Sequence, residues 1–125
     1  MEIKLNKEFE DKRGAIYIAK GVLDQGKEFS FLEMKKGSAR GGCLHSNDEF
    51  FVVIKGEIKY LHGDKEEIVS QGQSRRIKAG EPHAFVAMTD SVVSEWGITT
   101  EEKKCDKKDP ELRKVVDEFN SKLGK

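Results

Sequence analysis

The residues of this chain whose types and spacing could do chemistry lie between positions 40 and 83. Cys43 and His45 are two apart, so on a strand both side chains point to one face. Ser46-Asn47-Asp48 can turn the chain, and Glu49 then opens the apolar run Phe50-Phe51-Val52-Val53-Ile54. A carboxylate at the head of such a strand needs solvent at a barrel mouth, a hydrogen-bonded partner or a metal. His83 follows the turn Gly80-Glu81-Pro82 and precedes the apolar segment from Ala84 to Met88. A closed sheet could bring the four side chains together. Thiolate, imidazole and carboxylate donors suit Zn or Fe. Read as plain structure, Cys43 is a small buried apolar group and His83 a turn residue at a strand start.

Other side chains carry a second choice. The guanidinium of Arg40 could grip a phosphate with two parallel hydrogen bonds, or be an exposed strand charge, and Arg13 faces the same alternatives. Arg75 and Arg76 are adjacent, so a strand directs only one of them inward. Tyr60 is a candidate general acid or a half-buried sheet residue. Trp96 could stack on a ligand ring, or pack in the core or at a dimer contact. His62 is expected to be exposed near the Gly63-Asp64 turn, and Cys105 has no assigned role.

The elements that must position these residues read as strands. Short apolar runs (15–19, 28–34, 50–54, 57–62, 66–69, 75–78, 84–88 and 92–98) alternate with turn formers, the pattern of an all-β domain. About eight to ten strands make a sandwich or jelly-roll barrel able to enclose a small pocket. The ending differs. Asp109 can cap a helix, Pro110 suits its first position, and Gly124 stands at the expected C-cap. Leu112, Val115, Val116, Phe119 and Leu123 form one helical stripe, expected to pack on the barrel or a second subunit. The expectation is one domain over 1–125, with the barrel at about 1–100, a polar connection at 101–109 and the helix at about 109–123.

Composition narrows the function classes. Lys plus Arg and Asp plus Glu each number 23, so a net charge of zero gives no general attraction to nucleic acid or to an acidic membrane. No segment approaches the 18 apolar residues of a membrane span, and the N-terminus lacks a signal-peptide apolar run. Two cysteines make no disulfide framework, so the expected setting is cytoplasmic with reduced thiols.

The spacing also resembles a known family. Gly37, Cys43, His45, Glu49 and Gly56 fall in the register of the first cupin motif, G-x5-H-x-H-x3-E-x6-G, with Cys43 in the first histidine position. Gly72, Gly80 and His83 fall in the register of the second, G-x5-P-x-G-x2-H, with Lys78 in the proline position. The resemblance implies a cupin jelly roll, and implies Cys43, His45, Glu49 and His83 as ligands of one divalent metal (Zn, Fe, Mn or Ni). Cysteine in a histidine position fits either a modified metal site or one that no longer holds metal.

A narrower likeness lies in Asp11-Lys12-Arg13-Gly14 and in Arg40-Gly41-Gly42-Cys43-Leu44-His45, which are similar to stretches of the cupins that epimerise or isomerise nucleotide-linked sugars, typically without metal. It implies Arg40 on a diphosphate and the pocket histidines His45 and His83 moving protons beside a sugar keto group. Glu49 would hold a histidine in its useful tautomer, Tyr60 is the further catalytic candidate, and Arg13 and Trp96 are the further substrate-binding candidates. The sequence therefore supports a sugar-nucleotide isomerase or epimerase-like cupin. Its alternatives are a metal-dependent dioxygenase or isomerase, and a non-catalytic cupin that binds a small molecule. In each case the expected partners are a small-molecule ligand and a second copy of the chain, with no nucleic acid and no membrane.

Overall fold

The computed structural model describes residues 5–19, 21–24, 27–99, 105 and 107–123. Two antiparallel sheets face each other. One has six strands in the order β1-β2-β3-β10-β5-β8, namely β1 (Leu5–Asp11), β2 (Gly14–Ala19), β3 (Lys27–Met34), β10 (Ser91–Thr99), β5 (Glu49–Lys55) and β8 (Ser74–Ile77). The other has five in the order β11-β4-β9-β6-β7, namely β11 (Lys107–Lys108), β4 (Ala39–Leu44), β9 (His83–Ala87), β6 (Glu57–His62) and β7 (Lys65–Ser70). This is the expected jelly roll, with one helix, α1 (Pro110–Ser121), after it. β11 pairs with β4 through Lys107 and Lys108, so strand pairing in the second sheet extends past residue 100.

Alternation decides which side chains go in. On β5, Glu49, Phe51 and Val53 are buried while Phe50, Val52 and Ile54 are not. Leu32, Met34, Phe51, Val53, Ile58, Tyr60, Val69, Ile77, Phe85, Ala87 and Val93 fill the space between the sheets. Phe51 packs edge-on against Tyr60, with ring centroids 5.0 Å apart, and tilted against Phe85 at 4.7 Å. These rings close the lower barrel and leave the polar positions of β4, β5 and β9 at its upper end.

β9 is buried along its whole length because it is covered on both faces. Its outer side meets α1, where Val116 sits against Ala39, Ala84 and Val86, flanked by Leu61, Leu112 and Phe119. Two alanines on the sheet leave room for the helix, and full burial of Val116 contributes roughly 1.5–3 kcal/mol. Asp109 caps α1 by accepting from the Leu112 N–H at 3.2 Å, and Pro110 follows it as expected. The Asn120 amide accepts from the Ala39 N–H at 2.8 Å and donates to the Ala39 carbonyl at 2.9 Å, which clamps helix to sheet. The stripe thus packs on the barrel of its own chain. Lys122 is the C-cap, and Gly124 lies outside the described residues.

Candidate metal centre and its cavity

Two loop contacts bring the separated motif halves together. The Gly80 N–H donates to the His45 carbonyl at 2.7 Å, and the Asp48 carboxylate accepts from the Ala79 N–H at 2.8 Å. The turn before His83 is thereby fastened to the turn between His45 and Glu49. Gly80 has φ 79°, a left-handed conformation open to glycine at little cost.

On the neighbouring pair, Cys43 is the register partner of His83, and the register shifts between Gly41 and Cys43. Gly41 is required there. It has φ 111°, and a Cβ would lie 2.7 Å from the His83 carbonyl oxygen and 2.9 Å from the Ala84 Cα. The irregularity re-aims β4 just where it enters the site.

The result is a buried cluster. His45, Glu49 and His83 each offer one ligand atom, and the three atoms lie within 4.8 Å of one another. Glu49 Oε1 is 3.8 Å from His45 Nε2 and 3.4 Å from His83 Nε2. For donors about 2.1 Å from a shared ion, a tetrahedral edge is roughly 3.4 Å, so these separations fit one metal with small adjustment. His83 Nδ1 faces the Glu81 carbonyl at 3.4 Å, which turns Nε2 toward Glu49. Glu49 is 1% exposed, a position a carboxylate holds only among strong partners. Two imidazoles and one carboxylate form the donor set that binds divalent first-row metals while leaving coordination positions for other molecules.

Cys43 is a correction. Its sulfur is bonded to Cys105, so the reduced-thiol expectation fails and Cys43 is not one of the clustered donors. Cys105, given no role by its polar surroundings, instead ties the chain ahead of β11 to the cavity wall. The pairing was hard to read because 62 residues separate the two cysteines.

The cluster opens into a cavity of about 160 Å³ that Arg13, Arg40, Cys43, His45, Glu49 and His83 all border. Glu95, Arg113 and Cys105 also line it and were not anticipated. Glu95 stands on β10, directly opposite Phe51 of β5 and so on the inward face, a parity that strand alternation could have revealed. Arg113 comes from the helix, whose position on the sheet no local pattern encodes. It donates to the Gly41 carbonyl at 2.9 Å. Arg13 takes hold of Asp11 through Nε at 2.8 Å and Nη2 at 2.7 Å. The Arg13 guanidinium holds the Asp11 carboxyl below the usual aspartate range.

Two of the candidate site residues, Tyr60 and Trp96, lie elsewhere, and His62 departs from its expected exposure. Tyr60 is not among the cavity-lining residues; it belongs to the core, 2% exposed, and burial pushes its phenol well above the usual value. Trp96 is on the outward face of the six-stranded sheet, stacked between Phe29 and Phe50 at 5.9 and 6.0 Å, because its parity on β10 is opposite to that of Glu95. His62 is half-buried rather than exposed. It lies between Glu81 at 3.2 Å and Glu67 at 3.3 Å, stacked on Tyr60, and Arg75 pairs with the same Glu67.

Two facing antiparallel sheets with a histidine and carboxylate cluster at one end define a cupin. The cupin-domain family model matches residues 30–96, more than half of the chain, so the protein belongs to that family. No curated protein matches it. Among solved structures it is similar to the SPY1581 protein of unknown function from Streptococcus pyogenes, with 19% identity over 67% of this chain and 72% of that one, TM-score 0.61. It is also similar to an Fe(II)-bound HppE, with 21% identity over 78% of this chain and 56% of that one, TM-score 0.59. A third is oxalate decarboxylase of Bacillus subtilis, described for its Mn(II) centres, with 14% identity over 84% of this chain and 30% of that one, TM-score 0.70. The chain spans less than two thirds of the length of the last two. These likenesses establish the shared fold. No helix among the described residues is long and apolar enough to cross a membrane.

Proposed function

We propose that this cupin is a metal-dependent enzyme acting on a small molecule, with one divalent metal held by His45, Glu49 and His83. The observation that carries the reading is the convergence of three ligand atoms within 4.8 Å at the wall of a cavity. HppE with its Fe(II) and oxalate decarboxylase with its Mn(II) centres support it, since both share the fold. A bound metal would supply Lewis-acid or redox chemistry at positions left open by three protein ligands. This chain's own residues would do the rest. Glu81 orients His83, the arginines set the charge of the cavity, and the buried wall limits water.

Elemental analysis of protein purified without chelator tests this directly. The expected result is close to one Zn, Fe, Mn or Ni per chain, with at least about tenfold loss in Glu49→Ala and His83→Ala. Metal-free protein that takes up none of these ions on titration would overturn the reading.

The sugar-nucleotide reading keeps one supporting observation, that Arg13 and Arg40 border the same cavity as His45 and His83. It requires isotope exchange from 4-keto sugar nucleotides in chelator-treated protein. A homodimer through the outward face of Phe29, Phe50 and Trp96, with Ile54 exposed beside them, completes the proposal. Light scattering should give a mass near twice 14.1 kDa; the monomer mass would remove this part.

A further inference from the structure

Three arginines line the cavity, and two are already committed: Arg13 to Asp11, and Arg113 to the Gly41 carbonyl. Arg40 differs. It is 8% exposed, and its Nε and Nη2 are buried with no hydrogen-bond partner among the described residues. Its ion pair with Asp11 spans 3.8 Å, beyond hydrogen-bond reach, and that carboxylate is engaged by Arg13. Burial, with Arg13 alongside, lowers the Arg40 pKa to about 10, which leaves it charged at neutral pH. Asp11 and Glu95 offset part of the Arg40 charge through space, but the two unmet donors still cost the fold stability until an acceptor arrives.

The uncommitted atoms have a definite shape. Nε and Nη2 form one edge of the guanidinium, and their parallel N–H bonds match the two oxygens of a carboxylate. One edge satisfies one planar anion. Size points the same way. The cavity, about 160 Å³, is of the order of the roughly 150 Å³ that holds benzene, which suits a small molecule at this end of the barrel.

We propose that Arg40 is the anion-binding end of the cavity, and that the site takes a small carboxylic acid gripped edge-on by Nε and Nη2. The inference rests on the metal reading only for its other end, where an oxygen next to the carboxylate would reach the centre built from His45, Glu49 and His83.

Pyruvate, a carboxylate with an adjacent carbonyl oxygen, is the probe. Isothermal titration calorimetry on the full chain, as purified and loaded with one equivalent of Zn2+, compares it with acetate and inorganic phosphate. Pyruvate should bind, and Arg40→Gln should weaken it by about tenfold or more, the worth of one charge-assisted contact. Arg40→Lys should weaken it nearly as much, because an ammonium has no donor edge. Arg76→Gln, on the exposed outer face, should leave it unchanged.

Thermal unfolding without ligand supplies an independent readout. Arg40→Gln should melt near the wild-type temperature, since it removes two unmet buried donors while giving up the attraction to Asp11 and Glu95. A clear fall in that temperature would mark a structural ion pair and overturn the proposal. So would an unchanged pyruvate affinity in Arg40→Gln, no binding of either carboxylate, or Arg40-dependent phosphate binding tighter than that of pyruvate. The two readings fail separately. Carboxylate binding that still depends on Arg40 in metal-free Glu49→Ala upholds the inference without the metal. Zn2+ uptake with Arg40-independent pyruvate binding overturns the inference alone.

Discussion

Cys43 and His83 face each other as register partners on β4 and β9, yet only His83 presents a ligand atom to the cluster, because the Cys43 sulfur is bonded to Cys105. The cupin position that usually carries a histidine here holds half of a cross-link. The oxidised chain therefore offers three protein donors. Opening the bond would return a thiol two residues from His45, on the same side of the strand.

The cross-link should govern both stability and metal affinity. Closing a loop of 62 residues restricts the unfolded chain by up to about 4 kcal/mol. Cys105→Ser is expected to lower the melting temperature by on the order of 10 °C. The same variant frees the Cys43 thiol, and Co2+ loading should then give a sulfur-to-metal charge-transfer band absent from the oxidised protein and from Cys43→Ser/Cys105→Ser. Thiol titration checks the premise: denatured, unreduced protein should show no free thiol, and two after reduction.

How much of this could be read in advance depends on the range of the signal. Glu49, Phe51 and Val53 share one face by alternation, and the resemblance of the spacing from Gly37 to His83 to the cupin motifs was enough for the jelly roll and for His45, Glu49 and His83. Asp109 and Pro110 announced the helix. Pairings set by tertiary position were not legible. Cys105 meets Cys43 only because the chain returns along β4 as β11, and Arg113 reaches Gly41 only because α1 lies across the sheet. For Trp96 and Tyr60 residue type alone left a packing role and a site role open; strand parity sends Trp96 outward and core packing claims Tyr60.

Asp11 gives the fold a defined dependence on pH. Its carboxyl is held below the usual range, chiefly by the hydrogen-bonded Arg13. A carboxylate depressed in the folded state contributes stability that is present above its unfolded value. That contribution is lost as pH falls through the folded value. Asp11→Asn should thus melt a few degrees below wild type at pH 7, a modest gap because the pair is partly solvated. The gap should narrow below about pH 4 and close at lower pH. A gap of constant size across this range would show that the aspartate acts through packing and not through its charge.

Tyr60 separates a core residue from a catalytic one. Its ring packs against Phe51 and Phe85 and stacks on His62, while its hydroxyl is buried with no hydrogen-bond partner among the described residues. An unmet buried hydroxyl costs stability, so Tyr60→Phe should be neutral or stabilise the fold by up to about 1 kcal/mol. Tyr60→Ala should cost about 3–5 kcal/mol, as other deletions of a large core ring do. Denaturant unfolding measures both. Because the tyrosine does not line the cavity, metal content and ligand affinity in Tyr60→Phe should equal those of the wild type. A well-folded Tyr60→Phe that has lost turnover would restore the phenol as a proton donor, and would require the core around Phe51 and Phe85 to open during the reaction.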